Sequence, residues 1–148
     1  MVALAHKSFS AKSPGVSSKS TVEKSGDRRH LSGPALRTFF NIADKWCLSP
    51  DQQMKLLGVG ARSTFYKWKK DGEVALPRDT LERISYILGI YKSLQILLPP
   101  KAAHDWIKKS NDAGIFGGRS ALDYMLSGNV ADLYVVRRYL DAQRGGRA

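Results

Sequence analysis

The chain has 148 residues, 24 of them basic and 13 acidic, for a formal charge of +11, and an isoelectric point near 10.0. That length suits one domain, or two small helical lobes sharing a core; the excess charge attracts polyanions at long range and leaves the fold open. A single cysteine, Cys47, excludes an intramolecular disulfide and fits a reducing cytoplasm, and no apolar run approaches the roughly 18 residues of a membrane span or the core of a secretory signal.

Residues 1–33 carry +4, residues 34–98 carry +4 and residues 99–148 carry +3. With charge spread so evenly, a local excess on one element argues for nucleic acid better than the total does. Residues 1–32 are rich in Ser and Lys and nearly free of periodic apolar positions. Such a segment cannot bury enough surface to offset its ordering entropy, which predicts a disordered tail. Its bases suit either a weak phosphate-binding arm or a solvated, dispensable extension. A first helix is expected over Pro34 to Cys47, with Ser32 or Gly33 as its cap. Leu36, Phe39, Phe40, Ala43 and Trp46 recur three or four apart and form a broad apolar stripe. Cys47 reads as a small buried apolar residue beside Trp46.

The most informative stretch is Ser49 to Asp71, SPDQQMKLLGVGARSTFYKWKKD. Ser49 caps a helix, Pro50 suits its first turn, and Asp51 complements the positive end of the dipole. Gly58 stops that helix by taking the left-handed conformation other residues resist. After the Val59-Gly60 link a second helix starts near Ala61 or Arg62. Phe65 and Trp68, three apart, anchor it inward with Val59. Its other faces show Arg62, Ser63, Thr64, Tyr66, Lys67, Lys69 and Lys70, with no acid from Arg62 to Lys70. Two short helices about a Gly-containing turn, the second rich in long donors, describe a helix-turn-helix. In that frame Arg62, Ser63, Thr64 and Lys67 read bases in the major groove. Lys69, Lys70 and Lys55 meet phosphates, which set register without specifying sequence, and Tyr66 is able to do either. The competing picture is a solvated corner of an all-α domain.

Residues 72–78 link to the longest helix, about Asp79 to Leu98, with Asp79 or Thr80 as cap. Leu81, Ile84, Leu88 and Tyr91 adjoin a second stripe of Ile87, Ile90, Leu94 and Leu98, so this helix is buried on several sides. Gly89 inside it points to close approach of another backbone. Pro99-Pro100 then opens a helix over Lys101 to Lys109 with Ala103, Trp106 and Ile107. SNDAGIFGGRS is a turn-rich connection with Phe116 as an apolar peg. Ser120 caps a short helix, Gly128 ends it, and Asn129 caps a last helix reaching about Gln143. Leu133, Val136 and Leu140 share one face of that helix and dock it, while Arg137, Arg138 and Arg144 project elsewhere. The sequence shows no strands and no repeats. The expected fold is all-α: a tail at 1–32, a helix-turn-helix domain with its long connecting helix at 33–98, and a small helical lobe at 99–148.

These motifs resemble one family. The hairpin reads LLGV-x(4)-T-x-Y-x-W from Leu56 to Trp68, and a long helix ending in Leu-Pro follows. Beyond it come Trp106, Asn111, F-G-G-x-S-A-L-x-x-M-L-x-G from Phe116 to Gly128, and V-x-R-Y-L-D-A-x-x-G from Val136 to Gly145. The series resembles the Xre/MbcA/ParS antitoxins of bacterial type II toxin–antitoxin modules over roughly residues 34–146. Ala121 stands where the family usually has Pro, and the Val59-Gly60-Ala61 link is a residue longer than in many members. The resemblance implies a helix-turn-helix that represses the module's own promoter. It also implies a C-terminal lobe that binds and blocks a RES-domain toxin, an enzyme consuming NAD or transferring ADP-ribose from it. Members usually dimerise, here within a larger toxin–antitoxin complex. The resemblance further assigns the toxin contact to the end of the last helix, through Arg137, Arg138, Tyr139, Asp141 and Arg144, where arginines suit a nucleotide's phosphates.

An enzyme is the poorer reading. His6, His30 and His104 lie far apart, and with one cysteine no zinc set assembles at ligand spacing. The Gly-rich FGG follows a turn rather than a strand, unlike a phosphate-binding loop. No catalytic residue, metal or cofactor is expected. The rival of a different kind is a stand-alone DNA-binding regulator whose residues 99–148 only dimerise. Both readings place the protein in the cytoplasm, on operator DNA and away from membranes.

Overall fold

The structure is a computed structural model that describes residues 31–145, so residues 1–30 of the expected disordered tail lie outside the described part, while its last two, Leu31 and Ser32, are helical rather than disordered. Helix α1 spans residues 31–45, α2 Pro50–Leu57, α3 Arg62–Asp71 and α4 Arg78–Leu97. Helix α5, Pro100–Asp105, runs into a single 3-10 turn at Trp106–Lys108; α6 covers Ala121–Met125 and α7 Val130–Gly145. Among the described residues the fold is all-α, and extended backbone pairs only in an isolated antiparallel bridge between Ser110 and Ser120.

In α1 the expected apolar stripe faces inward, with Leu36, Phe39, Ile42, Ala43 and Trp46 all buried. The helix is already formed at residue 31, ahead of the expected start at Pro34. Ser32 is fully buried, and its Oγ accepts the Leu76 amide proton at 2.9 Å. It fastens the link between α3 and α4 rather than standing at the helix's solvent edge. Cys47 also departs from expectation: it is exposed and takes a left-handed φ of 53°. The chain reverses there, and Leu48 turns inward in its place.

The hairpin forms as its sequence dictates. Ser49 Oγ accepts from the Gln52 amide at 3.2 Å while Gln52 Oε1 accepts from the Ser49 amide at 2.9 Å, a reciprocal capping box. Gly58 closes α2 at φ 73°. Helix α4 begins one residue before Asp79, and neither Asp79 nor Thr80 caps it. The Thr80 hydroxyl instead donates to the Leu57 carbonyl at 3.2 Å, from a side chain almost wholly buried.

Helix α4 is the spine, packing most broadly against α7 and also against α2 and α5. Ile84, Ile87, Ile90 and Leu94 are buried, with Leu81, Leu88, Tyr91 and Leu98 half-buried beside them. One apolar core runs from Phe39 and Phe65 through Ile87 to Phe116, Val136 and Leu140, so the two expected lobes share it. Gly89 admits a side chain rather than another backbone. A Cβ built there would lie 2.3 Å from the Arg137 guanidinium, which lies across α4 and donates to the Ser85 carbonyl at 3.2 Å.

Arg83 ties the halves together. Its Nε donates to Asp79 at 2.8 Å, one terminal nitrogen reaches the Lys55 carbonyl at 3.4 Å, and the other the Gly128 carbonyl at 2.9 Å. One guanidinium thus spans the end of α2, the start of α4 and the turn before α7. Gly58 makes room for it, because a Cβ there would sit 2.7 Å from Arg83 Nε.

Candidate nucleic-acid interface and C-terminal surface

Phe65, fully buried, and Trp68, nearly so, root α3 in the core. Helical geometry then sets Ser63, Tyr66, Lys67 and Lys70, spaced i, i+3, i+4 and i+7, along the opposite ridge, and all four are exposed. The Tyr66 ring leans edge-on against Phe65, with centroids 5.1 Å apart, which steadies it at the surface. Four other expected contact residues sit off this ridge. Lys69 turns sideways over the Phe40 ring, 5.7 Å from its centroid. Thr64 is half-buried. Lys55 is exposed on α2. Arg62, the first residue of α3, pairs with Asp51 in the first turn of α2.

The five residues expected at the C-terminal contact point in three directions. Arg137 lies back over Gly89 and pairs with Asp141 at 3.5 Å, so it does not project from the lobe as expected. The glycine notch on α4 gives its long side chain a groove to follow. Tyr139 stacks on Trp106 at 6.5 Å between centroids and meets Phe116 edge-on at 5.4 Å, as part of the lobe's packing. Arg138 lies over the Tyr134 ring at 5.7 Å and donates to its hydroxyl at 3.0 Å. Arg144 donates to Ser93 Oγ at 3.4 Å, and that hydroxyl donates in turn to Asp141 at 3.4 Å. Arg144 and Asp141 border an open hollow of about 550 Å³ completed by Ile96, Leu97 and Gly145. Among the described residues Arg138 and Arg144 are exposed cations of this end, and Ile96, which borders the hollow with Arg144, is 63% exposed.

Sequence reasoning missed Arg83 and the Asp51–Arg62 pair. The i, i+4 spacing of Asp79 and Arg83 was a faint signal for the first. Nothing local announced the second, because its partners belong to different helices. Among the described residues no group of three or more His, Cys, Asp or Glu is placed to hold a metal ion, and no helix is long and apolar enough to cross a membrane.

Two family models match the chain in succession, and the boundary between them falls within α4. The family model for the antitoxin Xre-like helix-turn-helix domain matches residues 25–89. The model for the antitoxin Xre/MbcA/ParS C-terminal toxin-binding domain matches residues 93–146. The chain is also similar to the uncharacterized protein y4oB of Sinorhizobium fredii, 59% identical over 112 residues that cover 75% of this chain and 84% of the relative.

Proposed function

The chain belongs to the Xre-type antitoxins, with a toxin as its partner, and from that premise we propose how its two halves divide the work. The C-terminal lobe neutralises a RES-type toxin, an enzyme that consumes NAD or transfers ADP-ribose from it. The α2–α3 hairpin represses the module's own operon as part of a homodimer. The observation that carries the DNA half is the ridge of Ser63, Tyr66, Lys67 and Lys70, exposed and free of acids opposite a buried aromatic root. Lys67 and Lys70 supply phosphate-neutralising charge, while Ser63 and Tyr66 offer shorter-range hydrogen bonds. On the toxin side, the exposure of Arg138 and Arg144 supports a reading in which they exchange their contacts with Tyr134 and Ser93 for a nucleotide-binding cleft, whereas Arg137 and Tyr139 hold α7 in position.

Truncation at residue 137 would confound this reading, since it removes Tyr139 and Leu140 from the packed lobe. Charge reversal separates the roles. The paired variant Arg138→Glu with Arg144→Glu is expected to abolish protection of cells expressing the neighbouring toxin gene. Melting temperature and operator gel shift should stay near wild type. Full protection by that variant at equal abundance would move the toxin contact to another face.

A further inference from the structure

We propose that Asp51 is a specificity-determining residue for DNA, acting by holding the Arg62 guanidinium at the start of α3; this rests on the DNA-binding reading above. The two side chains come from different helices and meet in water, with side-chain exposures of 71% for Asp51 and 60% for Arg62. An ion pair so exposed contributes little to stability. The hairpin has no need of it either, because Leu56, Leu57 and Phe65 are fully buried beneath. The consequence of the pair lies in what it does to Arg62.

Arginine carries five N–H donors in a planar fork. The Asp51 carboxylate engages one terminal nitrogen, so donors remain for a base edge. A guanidinium already fixed at its first partner loses less freedom on meeting the two acceptors of guanine in the major groove. The carboxylate also cancels the arginine's charge at this spot. The pair therefore adds no net attraction for phosphates on arbitrary sequences, where an unpaired arginine would. Asp51 thus raises correct binding and withholds help from incorrect binding, which is discrimination from both sides.

The test uses the full chain, a duplex carrying the region upstream of its own gene, and a scrambled duplex of equal length and composition. Affinities are measured at several salt concentrations for wild type, Asp51→Asn, Arg62→Ala and the double variant. Asp51→Asn should tighten binding to the scrambled duplex, steepen its salt dependence by about one unit of slope, and lower the ratio of operator to scrambled affinity about three- to tenfold. In the Arg62→Ala background the same change should leave the ratio unaltered, because the residue acts through Arg62. An unchanged ratio in Asp51→Asn overturns the proposal. So does an equal fall in the Arg62→Ala background, which would make Asp51 a separate repulsive charge. Equal weakening on both duplexes with a lowered melting temperature would reduce the pair to a fastening of the hairpin and overturn it too. If wild type itself shows no preference for the upstream duplex, the DNA-binding reading fails, and this inference falls with it.

Discussion

Arg83 is a charged residue almost fully buried, and it survives there because each donor direction ends on an acceptor: Asp79, Lys55 and Gly128. Removing it would leave the Gly128 carbonyl without its partner, take one of two donors from the Lys55 carbonyl, and open a void above Gly58. Arg83→Ala is expected to cost about 2–4 kcal/mol in urea unfolding, and Arg83→Lys should recover only part, since an ammonium cannot span three elements. A loss below about 1 kcal/mol would mean the carbonyls find water instead. Gly89 makes a subtler case at the same scale. Alanine suits a helix better than glycine by up to about 1 kcal/mol, yet its methyl would displace Arg137. Gly89→Ala should therefore be nearly neutral in wild type and stabilising by about 0.5–1 kcal/mol once Arg137 is alanine. Equal effects in both backgrounds would show that Arg137 does not occupy the notch in solution.

At the scale of the element, α3 sorts its cations by direction. Lys70 lies on the outward ridge and Lys69 over the Phe40 ring, although the two are neighbours in sequence. On the DNA reading, Lys70→Ala should weaken binding to every sequence alike and reduce the salt slope by about one. Lys69→Ala should change DNA affinity less and lower stability by about 0.5–1 kcal/mol through the lost cation–π contact. Fluorescence titrations over a range of salt, alongside thermal melts, distinguish the pair. Equal salt-dependent losses for both lysines would mean that the side chain of Lys69 swings off the ring to reach a phosphate. The start of α3 follows from the same logic of faces. Burying both Phe65 and Trp68 leaves Arg62 beside α2, where Asp51 meets it.

The whole molecule carries two family domains and one core by packing. Helix α4 lends one side to the hairpin and another to α7, and Arg83 crosses between them. A protein built this way should unfold in one cooperative transition, with calorimetric and van't Hoff enthalpies equal. Residues 99–148 alone should lack stable helical structure, because Val136 and Leu140 would lose the face of α4 they pack on. Two separate calorimetric transitions would show that the lobes are independent after all.

Sequence alone determined the helical class, the hairpin at Ser49 to Asp71, the caps at Ser49 and Ser120, the stop at Gly58 and the buried peg at Phe116. All of these are local: hydrophobic period, capping chemistry and left-handed glycine act within a few residues, so they are written in neighbouring positions. The family series from Phe116 to Gly145 was legible in another way, as a resemblance carried by its motifs. Tertiary structure decided where long side chains end. Ser32 turned inward to Leu76, Thr80 to Leu57, Arg83 to Gly128 and Arg137 to the notch at Gly89, each across many residues of chain. Cys47 went outward because the backbone reverses there and Leu48 filled the core. A flexible cation or a hydroxyl carries no periodic signal of its own. Its direction depends on which unpaired carbonyl, amide or carboxylate the packed helices bring within reach, and that partner exists only once they have packed.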